Sequence, residues 1–81
     1  MKTTLKYIIW DGSFPTLFGE YFKHNQVRVA GEADAPTSAG FVDLTTNENG
    51  VTTVRCYGES TSMSLKSEPR DEILIARLFN N

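Results

Sequence analysis

Apolar and polar residues alternate along two neighbouring stretches, residues 41–46 and 51–57, and this two-residue period predicts two half-buried β-strands. Asn49-Gly50 lies between them, and such a pair tolerates the positive φ angles that tight hairpin turns require. We therefore predict an antiparallel hairpin. Its inner face should carry Val42, Leu44, Val54 and Cys56, and its outer face Phe41, Asp43, Thr45, Val51, Arg55 and Tyr57.

Two further stretches have strand-forming patterns. The continuous apolar run Tyr7–Trp10 predicts a strand over residues 5–10 that is buried on both faces, and Asp11-Gly12 should end it. Apolar residues also occupy every second position within residues 62–66. This predicts a third strand in the same sheet as the hairpin, after a turn at residues 58–61.

The segment that follows the first strand has a less regular pattern. Glycine and proline interrupt it, and a short extended segment is expected at residues 16–18. Residues 20–31 loosely suit a short helix, whereas the alternation of Val27 and Val29 suits a strand, so both alternatives stay open. Residues 32–37 should form a loop.

The C-terminal pattern predicts a helix over residues 67–79, with Ser67 as the N-cap and Pro69 in the first turn. Acidic residues lie near its beginning and Arg77 near its end, as the helix dipole favours. Its apolar stripe consists of Leu74, Ile75, Leu78 and Phe79. The predicted fold is therefore α+β, with a small three- to four-stranded, mainly antiparallel sheet and this C-terminal helix packed on the inner face of the hairpin.

Length and composition narrow the class of protein. With 81 residues, 40% hydrophobic and 22% charged, the chain should form one globular domain over residues 1–81. A single cysteine cannot form an internal disulfide, which favours a reducing compartment. The apolar run at residues 7–10 is too short for a signal peptide or a membrane span. We expect a cytoplasmic protein with no membrane partner.

The charge pattern weighs against two kinds of function. The formal net charge is −2 and the eight basic residues are scattered, so a general nucleic-acid-binding protein is disfavoured. The carboxylates form no dense run, so mimicry of DNA is also disfavoured.

The sequence carries no catalytic, metal-binding or cofactor-binding pattern that we can identify. His24 is the only histidine and lies far from Cys56 in sequence, so neither a catalytic triad nor a tetrahedral metal site is indicated. Cys56 should be a buried, inert residue. The hydroxyl-rich residues 60–64 lack both a nucleophile elbow and a phosphate-binding loop.

The aromatic residues are unevenly distributed. Six of the nine lie between Tyr7 and Phe22, more than a small core can bury together with the helix stripe. Either this N-terminal segment covers the outer face of the hairpin, or part of it is exposed for a partner. The interface candidates are Trp10, Phe14, Phe18, Tyr21, Phe41, Arg55 and Tyr57.

Three pieces of the chain, Ser38-Ala39-Gly40-Phe41, Cys56 to Leu65 and Ser67 to Asp71, resemble in order a pattern that can be written SAGF…CYGxSxSL…SxPxD, with the middle piece two residues longer than in the pattern. Through these three pieces, the C-terminal half of the chain resembles a group of short bacterial proteins of about the same length. The resemblance implies a prokaryotic or phage origin and brings no activity and no catalytic residue with it.

Three functions follow as hypotheses, in order of preference. The first is a non-enzymatic protein-interaction module, such as a phage or mobile-element accessory protein that modulates a host protein, for example an anti-CRISPR-like inhibitor. Its partner would be another protein or a second copy in a homodimer. The second is a small domain that stacks single-stranded nucleic acid on Phe41 and Tyr57 beside Arg55. The third, an enzyme, is the least favoured.

Overall fold

The computed structural model describes residues 2–23, 35–61 and 63–80, and it confirms the predicted α+β class. Four strands form an antiparallel sheet in the order β2-β1-β3-β4, and two short strands form a separate hairpin. Within the described residues, one helix packs on the larger sheet. The elements are β1 (Lys2–Trp10), β2 (Phe14–Phe18), β3 (Pro36–Thr46), β4 (Thr52–Tyr57), β5 (Glu59–Ser60), β6 (Leu65–Lys66) and α1 (Arg70–Phe79).

Strand β1 lies in the centre of the sheet, as its continuous apolar run predicts. It pairs with β2 on one side and β3 on the other, and Tyr7, Ile8 and Ile9 are buried. Asp11 and Gly12 end it with φ angles of 52° and 69°, a conformation that glycine adopts at little cost. Both faces of β1 therefore belong to the core.

The predicted β3–β4 hairpin is present, and its register places Val42 opposite Cys56 on the inner face. Its turn contains three residues, 48–50, of which Gly50 alone has positive φ, at 81°. The Asn47 side chain stabilises this turn, because its Oδ1 accepts hydrogen bonds from the N–H groups of Asn49 and Val51 at 2.9 and 3.1 Å.

Different layers cover the two faces of the sheet. Helix α1 covers the inner face, where Ile75 packs in a cluster with residues of β1, β3 and β4. On the outer face, Met63 and Leu65 pack on a cluster that contains Ile8 and Trp10. The second layer thus comes from the β5–β6 hairpin, while the aromatic N-terminal segment supplies two strands of the sheet itself.

The prediction of a third strand in the sheet over residues 62–66 is wrong. Pairing occurs instead between β5 and β6, outside the main sheet, with Met63 in the turn that joins them. The free edge of β4, where a further strand would pair, is covered by α1 and its C-cap residue Asn80. Asn80 bonds the N–H and C=O of Thr52, and Glu72 Oε2 accepts the N–H of Cys56 at 2.9 Å. Residues 58–61, predicted as a turn, therefore include the short strand β5.

The predicted N-cap is also wrong. Helix α1 begins after Pro69, which is the N-cap and makes no side-chain capping bond. The Ser67 N–H instead donates to the carbonyl of Gly58 at 3.0 Å. The Asp71 side chain, within the first turn, satisfies a backbone donor at this end of the helix instead: its carboxylate accepts the N–H of Glu68 at 2.9 Å.

The alternatives for residues 20–31 fall largely outside the described residues, as does the first half of the loop predicted at 32–37. Within the described part, residues 19–22 form a turn in which the Phe22 N–H donates to the Gly19 carbonyl at 3.2 Å. Pro36 and Thr37 already belong to β3.

Candidate interaction surface

Four side chains form one row across the outer face of the sheet. The strand register places Phe18 of β2, Lys6 of β1, Phe41 of β3 and Tyr57 of β4 opposite one another in turn. The rings of Phe41 and Tyr57 stack with centroids 5.9 Å apart, and Lys6 Nζ lies 5.8 Å from the centroid of Phe41. We call these four residues the aromatic row.

A carboxylate with several partners lies in the neighbouring row. Asp43 accepts hydrogen bonds from the hydroxyls of Thr4 at 2.7 Å and Tyr57 at 3.0 Å, and its other oxygen lies 3.3 Å from Lys2 Nζ. These contacts, the bond from Thr4 foremost, lower the pKa of Asp43. Arg55 lies opposite Asp43 in the register, is exposed, and makes no ion pair with a described residue.

The turn at residues 19–22 lies beside the aromatic row. Lys6 Nζ donates to the carbonyl of Phe22 at 2.8 Å, which places this turn next to the row. Two aromatic side chains of the turn face solvent, since Tyr21 is 98% and Phe22 is 55% exposed. Partial burial and the bond to Asp43 raise the pKa of Tyr57, and the charge of Glu20 adds to this shift.

The sequence-predicted interface residues separate into two groups. Trp10 is only 8% exposed and its Nε1–H donates to the Thr16 hydroxyl at 2.9 Å, so it belongs to the core. Phe14 is 61% exposed but lies opposite Trp10, at the far end of β2 from the row. The structure brings together Phe18, Tyr21, Phe41, Arg55 and Tyr57.

Sequence reasoning missed Lys6 and Phe22 as members of this surface. The pattern of residues 20–31 gives Phe22 no position relative to the sheet. Lys6 could have been found from the alternation of β1, since a strand places it on the side opposite Tyr7. Its position between two rings depends on the register with β2 and β3, which the pattern of one strand does not reveal.

Strand addition at the sheet edges is disfavoured. Side chains of α1 cover the edge of β4, as described above. The other edge strand, β2, contains Pro15, which has no N–H to donate to a further strand. A partner would therefore contact this sheet mainly through side chains.

A second polar cluster lies in the interior. Asp71 is 1% exposed and accepts hydrogen bonds from the hydroxyls of Tyr7 at 2.6 Å and Ser38 at 2.8 Å. Burial, together with the bond to Asp71, raises the pKa of Tyr7 well above its usual value. Burial also raises the pKa of Cys56 to about 12, so its thiol stays protonated at neutral pH. Tyr7, Ser38 and Asp71 are enclosed and bonded to each other, which suits a structural role. Cys56, predicted to be buried, is half-buried beside them.

Other potential sites offer little chemistry. A groove of about 220 Å³ beside the end of α1 is lined by Thr3, Leu44, Thr46, Thr52 and Phe79. None of these side chains can act as an acid or base near neutral pH. Among the described residues, no group of three or more His, Cys, Asp and Glu side chains is placed to hold a metal ion. His24 lies outside the described residues. No helix within the described ranges is long and apolar enough to cross a membrane.

Comparison of the chain with protein-family models, with curated proteins and with solved structures finds no match. Function is therefore argued from the surface itself, because a fold alone does not specify an activity.

Proposed function

We propose that this chain is a small, non-enzymatic protein-interaction module that binds another protein through the aromatic row and the adjoining turn at residues 19–22. The exposure of Tyr21 and Phe22 beside the stacked pair of Phe41 and Tyr57 carries this proposal. Large aromatic side chains gain the most from burial in an interface and are enriched among binding hot spots. Exposing them without a partner has no evident benefit for folding.

The structural setting favours binding over chemistry. The one sheet carboxylate of this surface, Asp43, is held by three partners, and a rigid sheet supports the rings of the row. A surface fixed in this way loses little side-chain entropy when a partner docks. We extend the proposal to a phage or mobile-element accessory protein that modulates a host protein, with anti-CRISPR-like inhibitors as one example. This extension rests on the sequence resemblance.

Affinity capture with paired variants tests the proposal. The tagged chain is used as bait in bacterial lysate, beside the double variant Tyr21→Ser/Phe22→Ser. Loss of two aromatic anchors should weaken capture by more than about tenfold. Ile73→Ser is the matched control, since Ile73 is also an exposed apolar residue, 59% accessible, but lies on α1. Capture that survives the double variant and fails with Ile73→Ser would contradict the proposed surface.

A second copy of the chain is one candidate partner. Light scattering measures the molar mass of the purified protein and so distinguishes self-association from binding to a different protein. A dimer that the Tyr21→Ser/Phe22→Ser variant dissociates would identify self-association through this surface. A strict monomer at all concentrations would exclude the homodimer and leave the proposal of another partner standing.

Single-stranded nucleic acid is the second candidate ligand, because Phe41, Tyr57 and Arg55 share one face with Lys6 close by. Bases could stack on the open side of Tyr57 while the cations contact phosphates. Fluorescence anisotropy of labelled oligothymidylate at low salt tests this candidate. An unchanged anisotropy would remove it.

A further inference from the structure

We infer, on the basis of the proposed function, that the segment which binds the aromatic row is an acidic protein segment, with carboxylates next to apolar or aromatic side chains. The apolar part would contact Tyr57 and the turn at residues 19–22. The carboxylates would pair with Lys6 and Arg55. This specificity follows from how charges are distributed on the surface.

Lys6 of the aromatic row and Arg55 in the neighbouring row have no carboxylate partner among the described residues. Lys6 Nζ contacts the Phe22 carbonyl and the Phe41 ring, and Arg55 makes no ion pair with a described residue. Asp43 cannot serve them readily, because Lys2, Thr4 and Tyr57 already hold its oxygens. Glu20 adds one exposed carboxylate at the turn. Among the described residues, Lys6 and Arg55 are thus available to a carboxylate of a partner, although the net charge of the chain is −2.

An unpaired cation beside aromatic rings discriminates between partners. A basic segment would place like charges together near Lys6 and Arg55, which weakens binding strongly when the contact excludes water. A carboxylate would form charge-assisted hydrogen bonds there, and Arg55 can bind it with two N–H groups. The expected partner chemistry is therefore acidic and apolar together.

The same features favour an acidic protein segment over a nucleic acid. Nucleic-acid affinity grows with the number of phosphates neutralised, and this surface has few cations on a chain of net negative charge. Stacking also needs open ring faces, whereas Phe41 lies between Tyr57 and Lys6. One short acidic segment requires only two cations, and Lys6 and Arg55 supply them.

Selection from a random peptide library displayed on phage tests this inference. Enriched peptides should contain Asp or Glu beside Phe, Trp, Tyr or Leu. Arg55→Glu should weaken binding of an enriched acidic peptide by more than about tenfold and shift the selection toward Lys and Arg. The matched control is Arg77→Glu, because Arg77 is an exposed arginine on α1 and has the same change in charge.

The other outcomes overturn the inference in different ways. Neutral or basic peptides that still require Tyr21 and Phe22 would refute the acidic preference and leave the proposed function intact. Oligothymidylate binding that Arg55→Glu abolishes, with no peptide enriched, would assign the surface to nucleic acid instead. Peptides that are insensitive to both Arg55→Glu and Tyr21→Ser/Phe22→Ser would refute the proposed function as well.

Discussion

Replacing Asp71 by alanine should lower the free energy of unfolding by about 3–5 kcal/mol, because two buried hydrogen-bond donors and one partly buried donor lose their acceptor together. The donors are the hydroxyls of Tyr7 and Ser38 and the N–H of Glu68. They tie β1, β3 and the start of α1 to one side chain that is almost completely buried. A domain of this size has a total stability of about 5–15 kcal/mol, so the loss would be a large fraction of it.

Urea denaturation followed by circular dichroism measures this effect. Tyr7→Phe removes one donor and should cost about 1–2 kcal/mol, which keeps the test informative if Asp71→Ala does not fold. In the double variant the two costs should not add, since the removed groups bond each other. Glu48→Ala serves as a control at an exposed carboxylate in the hairpin turn. An Asp71→Ala variant as stable as the Glu48→Ala control would contradict the structural role of Asp71.

Replacing Gly40 by alanine should cost about 3 kcal/mol, since overpacking against backbone cannot be relieved by rotating a side chain. A Cβ at this position would lie 2.6 Å from the carbonyl oxygen of Tyr57 and 3.3 Å from the Cβ of Ser67. The chain after β4 passes close to β3 here, so one of the two backbones must move. The β5–β6 hairpin and the start of α1 both follow this crossing.

The control for this prediction is Gly19→Ala. A Cβ at Gly19 would meet only a side-chain atom of Tyr21, at 3.9 Å, in a backbone conformation open to any residue. Its cost should stay within about 0.5 kcal/mol. Thermal unfolding of the two variants side by side checks the difference. Equal midpoints would show that the crossing is looser than the structure indicates.

Local patterns were sufficient for those parts of the fold that depend on neighbouring residues. The alternation of Val42 with Leu44 and of Val54 with Cys56 indicated which face α1 would cover. The stripe predicted for the helix is confirmed only in its first half. Leu74 and Ile75 pack on the sheet, whereas Leu78 and Phe79 are 53% and 43% exposed. In each case the period of one element determines the side that is buried.

Contacts between residues far apart in the sequence explain why the burial of Asp71 and the position of residues 59–66 were not predicted. Asp71 looked like an acidic residue that favours the beginning of a helix, and its burial depends on Tyr7 and Ser38, far away in the chain. The position of residues 59–66 depends on Asn80 and Glu72, which occupy the edge of β4. A sequence pattern records neither relation, because each is set by packing between elements.

The sequence left two alternatives for the aromatic N-terminal segment, burial against the outer face of the hairpin or exposure to a partner. The structure divides the segment: Trp10 is buried under the β5–β6 hairpin, whereas Tyr21 and Phe22 are exposed. The buried and the exposed residues are all aromatic, so composition cannot show which of them are buried. The division arises because the short hairpin covers only one end of the outer face.

Hydrogen–deuterium exchange of the captured complex tests the central claim most directly. Binding through the aromatic row should slow exchange in residues 18–23 and 55–58, which adjoin the exposed rings. Exchange in α1 should stay as in the unbound protein. Slower exchange confined to α1 and the neighbouring groove beside Phe79, with residues 18–23 and 55–58 unchanged, would contradict the assignment of the aromatic row as the binding surface.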